Sequence, residues 1–330
     1  MLRTGKIPES VLKRSVLRQI KTKREEVLLG AGIGGDCAAI DGGDCIYVMS
    51  TDPITNSKEN AGSLAIIAAT NDIAASGARA MAVMLSMIYP QGTEEESIKA
   101  VMKDVERTCA KLNVQAIGGH TEVSTAVNRP IITATGIGRT DKGRLITAAG
   151  AKSGDDIVVT KWIGIEGAYL LANENGDKLS EALTDSFIDK VRKTEDYLSV
   201  IPEADIAVNM DVSAMHDMSE GGVFAALWEM AEASGKGFTV DIKAIPVRQE
   251  VIEVCEVFGL NPYELDSGGS MLIASSKGHD LVRELKAAGI DAAVIGKFTD
   301  GNDRIVQNDE EKRYAEPPKA DEILLTQTSF

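Results

Sequence analysis

The stretch from Gly62 to Ser76 constrains this chain more than any other. Leu64, Ile66, Ile67, Ala68, Ala69, Ile73 and Ala74 place apolar side chains on nearly every side of a predicted helix, and such a helix is stable only when other layers cover it. Asp72 lies in the middle of it, beside Asn71. An ionised carboxylate in those surroundings costs on the order of several kcal/mol unless a charge partner or a metal compensates it. A covered helix needs a sizeable core, and 330 residues with 44% apolar and 26% charged side chains can build one, as one large domain or two ordinary ones.

Strand-like runs at Cys37–Ile40, Cys45–Ser50, Met81–Ile88, Val114–Ile117 and Ile131–Gly138 surround that helix, and Thr51–Asn60 reads as loop. The capping box Thr93–Glu96 starts a second helix that reaches about Leu112. Near the N-terminus, Ile7-Pro8 opens a helix whose apolar face is Val11, Leu12, Val16, Leu17 and Ile20. Around residues 148–155 the chain becomes a connector of Gly, Ala, Ser and Lys, and a new series of strands and helices follows. The expected division is 1–149 for an N-terminal domain and 150–330 for a C-terminal α/β domain. Both halves mix strands and helices without regular β-α-β spacing, which predicts an α+β class in two lobes rather than a doubly wound sheet. The tail from about Asp303 reads as peripheral.

A net charge of −15 repels phosphodiester backbones and anionic lipid, so no nucleic acid and no membrane are expected as partners. Nowhere do about 18 apolar residues run unbroken. The four cysteines, Cys37, Cys45, Cys109 and Cys255, show no C-x-x-C spacing and read as reduced thiols of a cytoplasmic protein. An anionic small molecule stays possible, because a divalent metal held by carboxylates reverses the local field.

Three carboxylates invite that reading. Asp36 follows Gly34-Gly35 and precedes a strand, Asp52 ends a strand before Pro53, and Asp72 sits in the apolar helix. Each has an ordinary explanation alone: a capped turn, an Asx-turn, an ion pair with Arg79. Together they make a hard-oxygen set suited to Mg²⁺. Two further motifs combine glycine with polar groups. Gly118-Gly119-His120-Thr121-Glu122 follows a predicted buried strand, where glycine lets the backbone approach a ligand beside an imidazole, a hydroxyl and a carboxylate. His216-Asp217-Met218-Ser219-Glu220-Gly221-Gly222 leads into an apolar helix, either as an N-cap at Ser219 or Asp217 or as a phosphate-binding helix start with Asp217 aimed at metal or substrate. No P-loop, G-x-S-x-G or H-E-x-x-H sequence is present.

In order, Gly34-Gly35-Asp36-Cys37-Ala38-Ala39-Ile40, Ser50-Thr51-Asp52, Thr70-Asn71-Asp72-Ile73-Ala74-Ala75-Ser76-Gly77-Ala78, Gly118 to Val123 and His216 to Gly222 resemble the aminoimidazole ribonucleotide (AIR) synthase superfamily. Within it the chain looks most like the hydrogenase-maturation branch, HypE, with further likeness at Ala244–Val247 and Cys255–Pro262. The resemblance implies the PurM-like fold: an N-terminal lobe that pairs with its twin as a dimeric β-barrel, and a C-terminal α/β lobe. It implies an ATP-dependent phosphoryl transfer that activates an amide- or carbonyl-type oxygen of a small-molecule or protein acceptor. By the same likeness Asp36, Asp52 and Asp72 hold Mg²⁺, while Gly34, Gly35, Asp36, Gly118, Gly119, His120, Thr121, Glu122, Asp217 and Gly221 bind ATP. Asp217 and His120 are the catalytic candidates, and the N-terminal domain is the one that binds ATP and metal and dimerises.

The chain departs from the branch in three places. HypE ends in a Cys that carries the group being dehydrated, whereas here Thr326 to Phe330 contains none, which points to an acceptor other than the chain's own tail. Glu220 replaces the usual arginine before the paired glycines, and His120 stands where several relatives have Asp, as in some selenophosphate synthetases. The alternatives are therefore a maturation partner that binds ATP without turning it over, or an activity like selenophosphate synthetase or AIR synthase.

Overall fold

Strand pairing divides the chain into two sheets, each with its own helices. The computed structural model describes residues 2, 4–55, 57 and 60–327. Residues 25–30 and 36–145 form one compact unit, and the described residues of 1–24, 31–35 and 146–330 form the other. The border at 145/146 lies close to the connector read from sequence, but the N-terminal segment belongs with the later unit rather than with its neighbours in the chain.

The first unit contains β1 (Val27–Leu29), β2 (Ala38–Asp41), β3 (Cys45–Ile54), β4 (Arg79–Pro90), β5 (Gln115–Ser124) and β6 (Ile131–Asp141). Their order is β1-β2-β3-β6-β4-β5, antiparallel except between β4 and β5. The apolar helix, Ala61–Ala75, lies on β3 and β6 and is buried at every position except Ala68 and Asp72. Glycines permit the close approach: a Cβ on Gly136 of β6 would stand 2.8 Å from the Ala69 carbonyl oxygen.

Two sequence expectations change here. The predicted loop from Thr51 is strand as far as Ile54, with Asp52 opposite Ala134 and Pro53 opposite Thr133. The proline is tolerated because β2 pairs with β3 only over Ile46–Met49, so beyond that point no donor toward β2 is needed. Likewise the glycines at 118 and 119 do not follow a buried strand. They lie inside β5, an exposed edge strand that bulges at Ile117, between the pairs Val83–Ala116 and Met84–Gly118. Gly118 and Gly119 adopt φ of +148° and +146°, which side-chain-bearing residues rarely reach.

The second unit contains β7 (Asp156–Thr160), β8 (Val212–Asp217), β9 (Gly237–Asp241), β10 (Met271–Ser275), β11 (Ala292–Thr299), β12 (Arg304–Asn308) and β13 (Glu311–Tyr314). They run β13-β12-β9-β11-β7-β10-β8, antiparallel except between β9 and β12. Ile157, Val159, Phe238, Leu272 and Phe298 of the sheet pack with Leu227 and Met230 of the helix Gly222–Ser234. Beside this core, Lys161 is buried and its ammonium is 2.8 Å from the fully buried Glu203 carboxylate, while it also donates to the Tyr197, Ser199 and Gly269 carbonyls.

The N-terminal helix is short, Glu9–Ser15, and buries none of its residues, so the apolar face read from sequence does not drive its docking. Polar links hold it instead. Lys13 bridges Glu9 and Glu232, and the Trp228 indole donates to Glu9 at 3.1 Å. The tail is not peripheral either. β12 and β13 extend the sheet, and Asp321 and Ile323 are buried beyond them. Thr328, Ser329 and Phe330 lie outside the described residues.

Candidate functional site

In the first unit the fold brings two of the three predicted metal ligands together. β3 carries Ser50 and Asp52, and the helix Ala61–Ala75 crosses it so that the Ser50 hydroxyl stands between two carboxylates: it is 3.2 Å from Asp52 Oδ2 and in close hydrogen-bonding contact with Asp72 Oδ2. Asp72 is half-buried, not enclosed, because it faces one of the helix's two incompletely covered positions. Two half-buried hard-oxygen carboxylates about a buried hydroxyl are a donor set that suits Mg²⁺. Asp36, also half-buried, precedes β2, and the motif Gly34-Gly35-Asp36 straddles the sequence border between the units.

On β5, His120 Nε2 lies 3.2 Å from Glu122 Oε2 because alternate residues of a strand share a face. Both side chains are open to solvent. Thr121 lies between them in sequence and therefore points to the opposite face. Gly119 is needed for packing as well as for its φ, since a Cβ there would overlap the Leu85 carbonyl oxygen.

In the second unit β8 ends at Asp217, which is buried, and the chain turns through Ser219, Glu220 and Gly221 into the helix Gly222–Ser234. Gly221 and Gly222 have φ of +85° and +62°, and a Cβ on Gly222 would press on the Tyr263 and Leu265 carbonyl oxygens. Neither Ser219 nor Asp217 is the N-cap; Gly221 takes that position with no side-chain cap from either. Its backbone N–H donates instead to Asp321 Oδ2 at 2.6 Å. Burial pushes the Asp321 carboxyl up to about 6, with Glu220 adding to the effect and the Gly221 and Ile323 N–H groups opposing it. Asp266, buried as well, is pushed well above the usual carboxylate range by burial and then by Glu166 and Asp321.

Lys6 and Glu229, which sequence reading passed over, and His216, which it quoted in the motif without a role, complete this region. The buried His216 places Nε2 3.1 Å from Glu229 Oε2, and Lys6 of the N-terminal segment lies 3.9 Å from Glu229 Oε1 and 3.4 Å from Ser219 Oγ. Burial acts to raise the Glu229 carboxyl, but Lys6 and His216 outweigh it and hold the group below its ordinary value. Loss of hydration acts to lower the Lys6 ammonium, yet Glu229, Glu220, Asp266 and Asp217 outweigh it and hold it above its ordinary value. Lys6 and Asp321 are each far from residue 217 in the chain, so no local motif could have announced them.

Known proteins share both the pattern and the fold. The family model described as AIR synthase related protein, N-terminal domain, matches residues 34–140, and the C-terminal domain model matches 152–308. A putative hydrogenase expression/formation protein of Methanocaldococcus jannaschii is 30% identical over 306 residues, covering 89% of this chain and 88% of the relative. The carbamoyl dehydratase HypE of Escherichia coli K12 is 29% identical over 268 residues, covering 77% and 74%. The crystal structure of E. coli HypE superposes with a TM-score of 0.72 at 26% identity, over 84% of this chain and 87% of that one. A HypE solved in complex with ATP shares the fold at 18% identity, with a TM-score of 0.72 over 98% of both chains. No helix among the described residues is long and apolar enough to cross a membrane. Matched by both domain models over most of its length and by a 30% identical relative over nearly all of it, this chain belongs to the AIR synthase related proteins, in their HypE-like hydrogenase expression/formation branch.

Proposed function

We propose that this chain is an ATP-dependent enzyme that transfers the γ-phosphoryl group to an amide- or carbonyl-type oxygen of a small-molecule or protein acceptor. The observation that carries the reading is the placement of Asp52 and Asp72 about one hydroxyl, Ser50, in the unit matched by the N-terminal family model. Asp36, Asp52 and Asp72 are assigned to Mg²⁺, which when bound would neutralise phosphate charge during transfer. Gly34, Gly35, Gly118, Gly119, His120, Thr121 and Glu122 are assigned to the nucleotide. Asp217 and Gly221 are assigned to the transferred group, with Asp217 and His120 as the catalytic candidates.

The amide-type oxygen is supported by the name of the E. coli relative, a carbamoyl dehydratase: phosphorylating an amide oxygen turns a poor leaving group into a good one. A homodimer is supported by the exposed edge strand β5, whose Ile117 and Val123 are 51% and 53% exposed. Four free thiols agree with a cytoplasmic setting. The test is ADP release by the purified protein with Mg²⁺ and ATP while carboxamide and carboxylate acceptors are screened. Stimulation by one acceptor supports the reading, and absence of any Mg²⁺-dependent ATP binding by calorimetry overturns it.

One observation favours a second reading, a maturation partner that binds ATP without turning it over. The Gly221 N–H, a donor assigned to the transferred group, is taken by Asp321. Sustained ADP release rejects this alternative.

A further inference from the structure

β13 carries a charged side chain on the covered face of its sheet. Arg313 stands directly opposite Val306 across the β12–β13 pair, and side chains opposite one another in an antiparallel pair share a face. Val306 belongs to the core that the helix Gly222–Ser234 covers, so Arg313 is on the helix side. Its guanidinium carbon lies 5.6 Å from the centroid of the Phe224 ring on that helix.

Beyond β13 the chain arches away instead of closing over the helix. The Ala315 N–H donates to the Arg304 carbonyl at 2.7 Å, and Asp321 accepts from the Gly221 N–H at 2.6 Å. Between these anchors stand Pro317 and Pro318, which have no N–H to donate and stiffen the path. Under the arch is a cavity of about 280 Å³, lined by Phe224, Ala225 and Val306, comparable with the lower end of small-molecule sites, about 300 Å³. Phe224 stacks on Tyr263 with ring centroids 5.5 Å apart, so the aromatic wall is set before any ligand arrives.

Four charged residues also line the cavity, and two of them, Glu316 and Lys319, neutralise each other in an ion pair of 2.6 Å. That leaves Arg313 and Glu264, neither of which forms an ion pair among the described residues. An anion entering here would gain Arg313 but meet Glu264, and a cation would do the reverse. A zwitterion satisfies both.

We propose that this cavity binds an aromatic α-amino acid, with its carboxylate on the Arg313 guanidinium, its ammonium on Glu264 and its ring on Phe224. The planar guanidinium suits a carboxylate because it can donate two parallel hydrogen bonds. The inference goes beyond the phosphoryl-transfer reading and uses only groups of the second unit.

Calorimetry tests it with four ligands: phenylalanine, phenylpropionate, which lacks the ammonium, phenethylamine, which lacks the carboxylate, and glycine, which lacks the ring. The full-length proteins are wild type, Arg313→Gln, Glu264→Gln and the control Arg283→Gln; Arg283 pairs with Asp280 of its own helix and does not line the cavity. Phenylalanine is expected to bind the wild type saturably, and about tenfold or more tighter than each truncated ligand. Arg313→Gln should weaken phenylalanine and phenylpropionate by about tenfold and spare phenethylamine. Glu264→Gln should weaken phenylalanine and phenethylamine and spare phenylpropionate, and Arg283→Gln should match the wild type. Melting temperatures should stay near the wild-type value, because neither Arg313 nor Glu264 is buried.

A charge on the inner face of an edge strand also deters pairing with other chains. If Arg313→Gln associates in solution but binds phenylalanine as the wild type does, that role is sufficient and the inference is overturned. It is overturned equally if phenylalanine shows no saturable binding, or if the losses do not follow the charges of the ligands. No nucleotide or metal enters the experiment, so the phosphoryl-transfer reading stands or falls separately.

Discussion

The Asp321 carboxylate accepts a 2.6 Å hydrogen bond from the Gly221 N–H. A group from the chain's tail thus sits on the first donor of a helix whose start the sequence offers as a phosphate cradle. The same carboxylate accepts from Ile323 N at 2.8 Å, so the tail folds around its own anion. Its titration is open to measurement.

Asp321 has a folded pKa of about 6, above the usual value of about 3.9. A raised acid favours the protonated folded form. The stability it contributes is complete below about pH 4 and is lost as pH rises through about 6. Asp321→Asn cannot ionise but has one acceptor oxygen for the Gly221 and Ile323 N–H groups, so its stability relative to wild type should rise by on the order of 1–2 kcal/mol between pH 4 and pH 7. Below about pH 4 the difference between the two proteins should stay constant. Urea unfolding at several pH values between 4 and 7 measures this, and parallel curves for the two proteins would contradict it.

Asp72→Asn should reduce Mg²⁺-dependent ATP affinity by about tenfold to a hundredfold, while affinity measured with chelator present changes little. Ser50→Ala should have a smaller effect, because it removes the hydroxyl that orients the carboxylates and leaves both charges. Calorimetry with and without Mg²⁺ separates these effects. Equal Mg²⁺ dependence in wild type and Asp72→Asn would remove Asp72 from the metal set.

Glu203→Gln should destabilise the second unit by about 3–5 kcal/mol, since it leaves the Lys161 ammonium buried without its counter-charge. Replacing both members, Lys161→Met with Glu203→Leu, should recover much of that loss. A double-mutant cycle in urea reads the coupling, and additive losses would show that the pair acts as two independent side chains.

Gly118→Ala and Gly119→Ala separate backbone conformation from space. Both positions have strongly positive φ, but a Cβ on Gly118 meets nothing within 4 Å whereas one on Gly119 overlaps the Leu85 carbonyl oxygen. Gly118→Ala should cost about 1–2 kcal/mol of strain. Gly119→Ala should cost clearly more and loosen the β4–β5 pairing, visible as faster amide exchange in that strand. Equal melting temperatures for the two variants would contradict the distinction.

What the sequence determined by itself was the local chemistry and its order along the chain. The apolar helix with Asp72 inside it, the glycines before His120 and the Asp217–Gly222 turn are short-range patterns, and they sufficed for an α+β fold in two lobes and for the AIR synthase family. Tertiary structure alone decided which distant groups meet. It set Asp52 and Asp72 about Ser50, made β5 an edge strand, docked the N-terminal segment on the second unit so that Lys6 reaches Ser219, and brought Asp321 to Gly221. The reason is physical: periodicity reports which face of an element is buried, whereas an ion pair or a hydrogen bond between remote residues leaves no periodic trace. Polar links such as Lys13–Glu232 hold the N-terminal helix without a buried stripe, so nothing in its spacing could have said where it would lie.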